Sequence, residues 1–191
     1  GLDVNFEVTT KVWESYDRHP RFEPSKIQKN LVDAGKHGRK SGQGFYDYSK
    51  GGKHTNLVSL PGCKPPNSII IEGSEQLPKS LIKMLKSGTA SIKYTSGSGK
   101  IRLPGGGIVL LSNGKSSWYR TLENGDEVIS LDLCLDYEHS PRVVIAADSN
   151  CPENILNKAT GLFQSFGKNV SLIKDIPGMV LTRTVAMLVN E

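Results

Sequence analysis

Cysteine is scarce in this sequence, and long apolar runs are absent from it. Three cysteines, Cys63, Cys134 and Cys151, stand among 191 residues. They are odd in number and at no metal-ligand spacing, which argues against a disulfide scaffold and for a reducing, cytoplasmic setting. No stretch approaches the roughly 20 apolar residues of a membrane span, so no membrane is expected as a partner. Neither sign of charge dominates: 24 lysines and arginines against 19 aspartates and glutamates leave +5. A sequence pI of about 9.1 raises RNA as a partner. Aromatic and basic residues do not interleave on any candidate strand, as base-stacking surfaces require, so no nucleic acid is expected. What remains, 37% hydrophobic and 23% charged, is the composition of an ordinary globular chain with enough residues for one or two domains.

The ends carry more than the averages. Gly1 is not a methionine, no leader-type segment follows it, and the last residues run helically into Glu191 without a Gly, Asn or Pro stop. Both ends read as cut, and the expectation is a piece of a longer protein.

Residues 1–48 read as helical. Leu2, Phe6, Thr9, Trp13 and Tyr16 recur at spacings of three and four, giving a helix over about 3–17. Ser25 is placed to cap a second helix, with Gln28 in capping-box position and Gly35 as the residue that ends it. In the glycine-spaced run Gly38 to Tyr48 the aromatics are expected to dock on an apolar surface. Residues 49–66 shift to Gly, Lys, Ser, Asn and Pro and read as a linker. Residues 67–176 alternate short apolar strands (69–71, 91–95, 108–111, 128–135, 143–146, 170–173) with helices at 78–86 and 152–166. This predicts an α/β unit with a mainly parallel, three-layer sheet, a reduced version of the doubly wound fold. Residues 177–191 begin another helix.

Chemistry-bearing motifs are mostly refused. Gly114-Lys115-Ser116 ends like a phosphate loop, but Val109 stands where its first glycine belongs. After the first strand Glu72-Gly73-Ser74-Glu75-Gln76-Leu77 offers one glycine and two acids in place of a dinucleotide turn. Gly97, Gly99 and Gly105 to Gly107 read as turns between strands. His19 and His37 lie in turns, His54 in the linker, and His139 follows Asp136 and Glu138 in what reads as a solvated loop. Cys134 reads as core and Cys151 as an unreactive thiol before Pro152. The sequon Asn169-Val170-Ser171 reads as chance.

Two stretches carry a resemblance. Gly1-Leu2-Asp3-Val4 with Pro20-Arg21-Phe22-x-Pro24-Ser25 and Ala34-Gly35 through Gly44-Phe45-Tyr46-Asp47-Tyr48 is similar to the second half of the helical C-terminal domain of the 3-hydroxyacyl-CoA dehydrogenase family. Gly167-Lys168-x-Val170 with Lys174-Asp175-x-Pro177-Gly178-Met179-Val180-x-x-Arg183 resembles the end of a Rossmann domain passing into such a helical domain. The order resembles a 3-hydroxybutyryl-CoA dehydrogenase with duplicated helical domains of the 6-phosphogluconate-dehydrogenase C-terminal kind and a reduced Rossmann unit between them.

The resemblance implies an oxidoreductase that passes a hydride from the 3-hydroxyl of an acyl-CoA to NAD, in fatty-acid metabolism. NAD would be bound by a domain outside this chain, with no cofactor expected within it. It implies a His–Glu pair as base and an Asn before the arginine, but Thr182 precedes Arg183 and Ala146-Ala147-Asp148 stands where the histidine stretch belongs. No catalytic, cofactor-binding or metal residue is therefore assigned. The piece is expected to be a non-catalytic scaffold, associating into a homo-oligomer through apolar helix faces (Phe6, Trp13, Tyr16, Ile27, Leu31). The other expectation is an anion-binding module for CoA phosphates or a nucleotide, through Lys93, Lys100, Arg102 and Lys115.

Overall fold

The computed structural model describes residues 1–49 and 57–190. His54 and much of the expected linker lie outside the described residues. The chain divides into two compact units, residues 1–57 and 58–191.

In the first unit, α1 (Leu2–Ser15) ends where Asp17 and Arg18 both turn left-handed. α2 (Lys26–Asp33) starts as its sequence dictates, with Ser25 Oγ accepting the N–H of Gln28. It stops at Gly35, whose φ of +70° lets Gly35 N–H reach the Val32 carbonyl (2.9 Å) and Lys36 N–H that of Leu31 (2.8 Å), a Schellman turn. The capping box is only half formed. The Gln28 side chain turns away from Ser25 and donates to Leu2 O (3.2 Å) and Asn5 Oδ1 (2.8 Å), tying α2 to α1. The expected docking of the aromatics near residue 45 does not occur: Phe45 and Tyr46 are exposed.

The second unit is a seven-stranded sheet in the order β2-β1-β3-β4-β5-β6-β7. It is assembled from three parallel β-α-β pairs. These are β1 (Ser68–Glu72) with α3 (Lys79–Lys86) and β2 (Ser91–Thr95), then β4 (Ile108–Leu111) with α4 (Ser117–Asn124) and β5 (Val128–Leu131), and last β6 (Arg142–Ala147) with α5 (Glu153–Gln164) and β7 (Asn169–Ile173). The short β3 (Lys100–Arg102) joins the first two pairs through antiparallel ladders, and β5 meets β6 antiparallel. The α/β class stands, and the parallel ladders lie within the pairs while antiparallel ladders join them.

Right-handed crossovers settle the layers. β1 to β2 steps one way along the sheet and β4 to β5 the other, so α3 and α4 belong on opposite faces. β6 and β7 repeat the second step with the strands inverted, which returns α5 to the α3 face. Accordingly Ile71, Ile101, Ile129 and Ile145 form one core with Leu81 of α3 and Phe163 of α5, while Ile108, Leu110 and Val128 form a small second cluster on the other side. Each such side chain taken from water contributes about 1.5–3 kcal/mol.

Residues 58–66, linker by composition, are bonded onto this unit. Leu60 N–H donates to Val170 O (2.8 Å), Gln164 Nε2 donates to Leu60 O and Pro61 O, and Cys63 N–H returns a bond to Gln164 Oε1. The chain then leaves β7 through Pro177-Gly178-Met179 into α6 (Leu181–Asn190). Among the described residues no helix is long and apolar enough to cross a membrane.

Candidate functional site

The densest polar chemistry gathers where the chain leaves the sheet for α6. β5 ends at Leu131, four residues short of the sequence expectation, because Asp132 turns its side chain inward. Its Oδ1 accepts the N–H of Leu133 (2.9 Å), and its Oδ2 accepts those of Val180 (3.0 Å) and Leu181 (3.1 Å) at the start of α6. The Asp132 carbonyl accepts the hydroxyl of Tyr137 (2.6 Å), a fully buried ring whose burial pushes the phenol well above its ordinary range. Asp132 itself is buried.

A second acid works in the reverse direction. Asp175, two residues beyond β7, accepts Ser117 N–H on Oδ1 (2.6 Å) and Trp118 N–H on Oδ2 (2.8 Å), capping α4 from outside. Ser116 Oγ takes the next amide, of Tyr119 (3.2 Å). Ser117 Oγ bonds Ser130 Oγ (2.9 Å) and donates to Ala146 O (3.1 Å), fixing the helix start on the sheet. Between the two acids, Gly178 (φ +77°) and Met179 (φ +47°) form a left-handed pair that delivers the Met179 side chain to the interior.

The sequence missed the role of Asp175 because it missed α4, and that of Asp132 because it ran β5 on to residue 135. The buried residues of that helix are Ser117 and Arg120, while Trp118, Tyr119 and Leu122 face outward, so there is no apolar stripe to read. The signal that was present is the cap, Ser116 ahead of eight residues closed by Gly125, which adopts φ +71°.

Of the other candidates, Asp136, Glu138 and His139 are brought together in the loop after β5, their ligand atoms within 4.8 Å of one another; His139 is exposed and the two acids half-buried. His139 Nδ1 meets Asp136 Oδ2 at 2.7 Å, and Glu138 pairs with Lys83 of α3 at 2.9 Å. His37 lies 3.9 Å from Asp3, which pairs with Lys40. Half-buried Cys134 packs against the core from the loop after β5 rather than from within a strand. Burial, with Glu127 and Asp148 adding to it, pushes the Cys151 thiol up to about 11. That thiol is therefore protonated at neutral pH and a poor nucleophile.

Of the four cations expected to face an anion, three are engaged. Lys100 donates to Asn124 Oδ1 (2.7 Å), Lys115 pairs with Glu123 (2.6 Å), and Arg102 is held between Glu72 and Asp126. Lys93 is exposed beside a cavity of about 460 Å³ shared with Arg102 and Gly105 to Gly107. Those glycines, with φ from +75° to +97°, turn β3 into β4. Thr182 and Arg183 are exposed on α6, and the strand end Ala146-Ala147-Asp148 presents no histidine.

The second unit is thus a reduced Rossmann-like α/β unit whose strand-end acids cap helices. The profile of the 3-hydroxyacyl-CoA dehydrogenase C-terminal domain matches residues 1–48, and that of the 3-hydroxybutyryl-CoA dehydrogenase reduced Rossmann-fold domain matches residues 109–177. The 3-hydroxyadipyl-CoA dehydrogenase of Escherichia coli (strain K12) is 28% identical over 191 residues, 100% of this chain and 34% of that protein. A probable 3-hydroxyacyl-CoA dehydrogenase of Caenorhabditis elegans is 54% identical over 48 residues, 25% of this chain and 16% of its own. The crystal structure of 3-hydroxybutyryl-CoA dehydrogenase from Escherichia coli K12 superposes with a TM-score of 0.62 at 27% identity, covering 100% of this chain and 34% of that one. Both matched profiles are domains of 3-hydroxyacyl-CoA dehydrogenases, which the chain resembles over residues 1–48 and 109–177. It spans about a third of the length of the relative and of the solved structure that match it end to end.

Proposed function

We propose that this chain is a non-catalytic scaffold and oligomerisation region of an NAD-dependent 3-hydroxyacyl-CoA dehydrogenase of the 3-hydroxybutyryl-CoA type, cytoplasmic and without nucleic-acid or membrane partners. The whole protein would oxidise the acyl-CoA, with NAD held by a domain outside these residues. Residues 177–191 would open a second helical domain. One observation carries the reading: Asp175 and Asp132 are spent on helix caps, and Arg102 and Lys115 on ion pairs within the chain.

Apolar surface supports the oligomer. Val4, Val8 and Val12 form an i, i+4 stripe on α1, 57%, 54% and 41% exposed, with Tyr16 and Ile27 exposed in the same unit. The face differs from the one expected, since Phe6, Trp13 and Leu31 are half-buried. On α6, Val185, Leu188 and Val189 are exposed as well. Exposed apolar stripes of this kind favour association. The anion-module reading has Lys93 in its favour, and against it the ion pairs that neutralise Arg102 and Lys115.

Reduction of acetoacetyl-CoA by NADH, measured on the chain and on the full-length protein, tests the proposal. Turnover by the full-length protein alone is expected. Turnover by the chain, or none by the full-length protein, would overturn it.

A further inference from the structure

The family's cofactor can be tested against the residues that a β-α-β unit would use to hold it. A dinucleotide rests its pyrophosphate on the first amides of the helix after the first strand. An acid about 20 residues further on, at the end of the second strand, binds the ribose. In β4-α4-β5 both positions exist. The helix start is Ser116-Ser117-Trp118, and counting from Ser112, the first residue past β4, about 20 residues leads to Asp132, the first past β5.

Neither position fits the group. The Ser117 and Trp118 amides are held by the two oxygens of Asp175, and the Tyr119 amide by Ser116 Oγ. The first turn has no donor left for a phosphate, and the carboxylate on it repels one. Asp132 has both oxygens engaged, one by its neighbour Leu133 and the other by Val180 and Leu181.

We infer that the chain fills its own dinucleotide crevice: Asp175 stands where a pyrophosphate would, and Asp132 holds the start of α6 where it would hold a ribose. This deepens the scaffold reading and rests on it for the role assigned to the joint. The two caps run in opposite senses. An acid of the exit segment caps a helix on the sheet, and an acid of the sheet caps the exit helix. Residues 175 to 181 are clasped at both ends, with the left-handed Gly178-Met179 turn between. The clasp thereby fixes the direction in which α6 leaves the sheet.

The test is titration of the whole chain with inorganic pyrophosphate, read on the backbone amide resonances of Ser117 and Trp118. In the native chain neither moves. In Asp175→Gly both move, and formate, which replaces the missing carboxylate, raises the melting temperature of the variant and not of the native chain. Movement of both amides in the native chain would overturn the inference, as would an Asp175→Gly protein indifferent to pyrophosphate and formate. Should the glycine variant not fold, Asp175→Asn keeps the shape and loses the charge. Its Ser117 or Trp118 amide is expected to exchange with solvent at least about ten-fold faster, and unchanged exchange at both would overturn the inference. Turnover of acetoacetyl-CoA by the chain would end the scaffold reading and leave the two caps standing. Pyrophosphate on the native amides would end the clasp and leave the scaffold reading intact.

Discussion

Tyr137 is buried for the sake of one bond, its hydroxyl on the Asp132 carbonyl. Tyr137→Phe keeps the ring and leaves that carbonyl without this donor, a loss of about 1–3 kcal/mol expected in urea unfolding. At Cys151 the thiol titrates near 11 in the folded chain against an ordinary 9.0. The folded state binds this proton more tightly than the unfolded chain, so its contribution to stability is complete below about pH 9 and lost as pH rises towards 11. Iodoacetamide should accordingly leave Cys151 unmodified at pH 7.5, with labelling rising steeply only above about pH 10. Asp3 behaves in the opposite sense. The bond from Lys40 holds its carboxyl at about 2, so its contribution is complete above 3.8 and lost as pH falls towards 2. Lys40→Ala should return the Asp3 titration, followed by NMR, towards the ordinary value.

At the scale of elements, one glycine shows residues 58–66 to be a strap packed on α5 and not a free linker. Gly161 lies inside α5, where alanine ordinarily stabilises by about 1 kcal/mol. Here a β-carbon would overlap the Lys64 carbonyl oxygen, so Gly161→Ala should destabilise instead and open residues 58–66 to protease. A stabilised, equally resistant variant would show the strap to be unimportant. The same elements show what was legible in the sequence. α2 was, since Ser25 and Gly35 act locally and their neighbours suffice to read them. α5 was too, because Ile155, Ala159, Leu162 and Phe163 make an apolar stripe. β3 was not: three residues with one buried side chain, Ile101, leave no pattern. α4 was hidden by an inverted face, and with it the role of Asp175. The partners of the two acids lie 57–58 residues away for Asp175 and 48–49 for Asp132, separations that no local spacing rule spans.

At the scale of the whole molecule, the family resemblance was legible at the chain's two ends while the role of the middle was not. The missing glycine fingerprint pointed away from a cofactor domain, and the packed structure places Asp175 on the first amides of α4 and Asp132 on those of α6. Association is expected to follow from the α1 stripe. Sedimentation should find species above the 20.8 kDa monomer, and Val8→Lys should shift them towards monomer without lowering the melting temperature. The central claim, that a unit of Rossmann type here serves structure rather than cofactor binding, is tested most directly by calorimetric titration of the chain with NAD. The account predicts no saturable heat through the millimolar range. Saturable binding of one NAD per chain would contradict it.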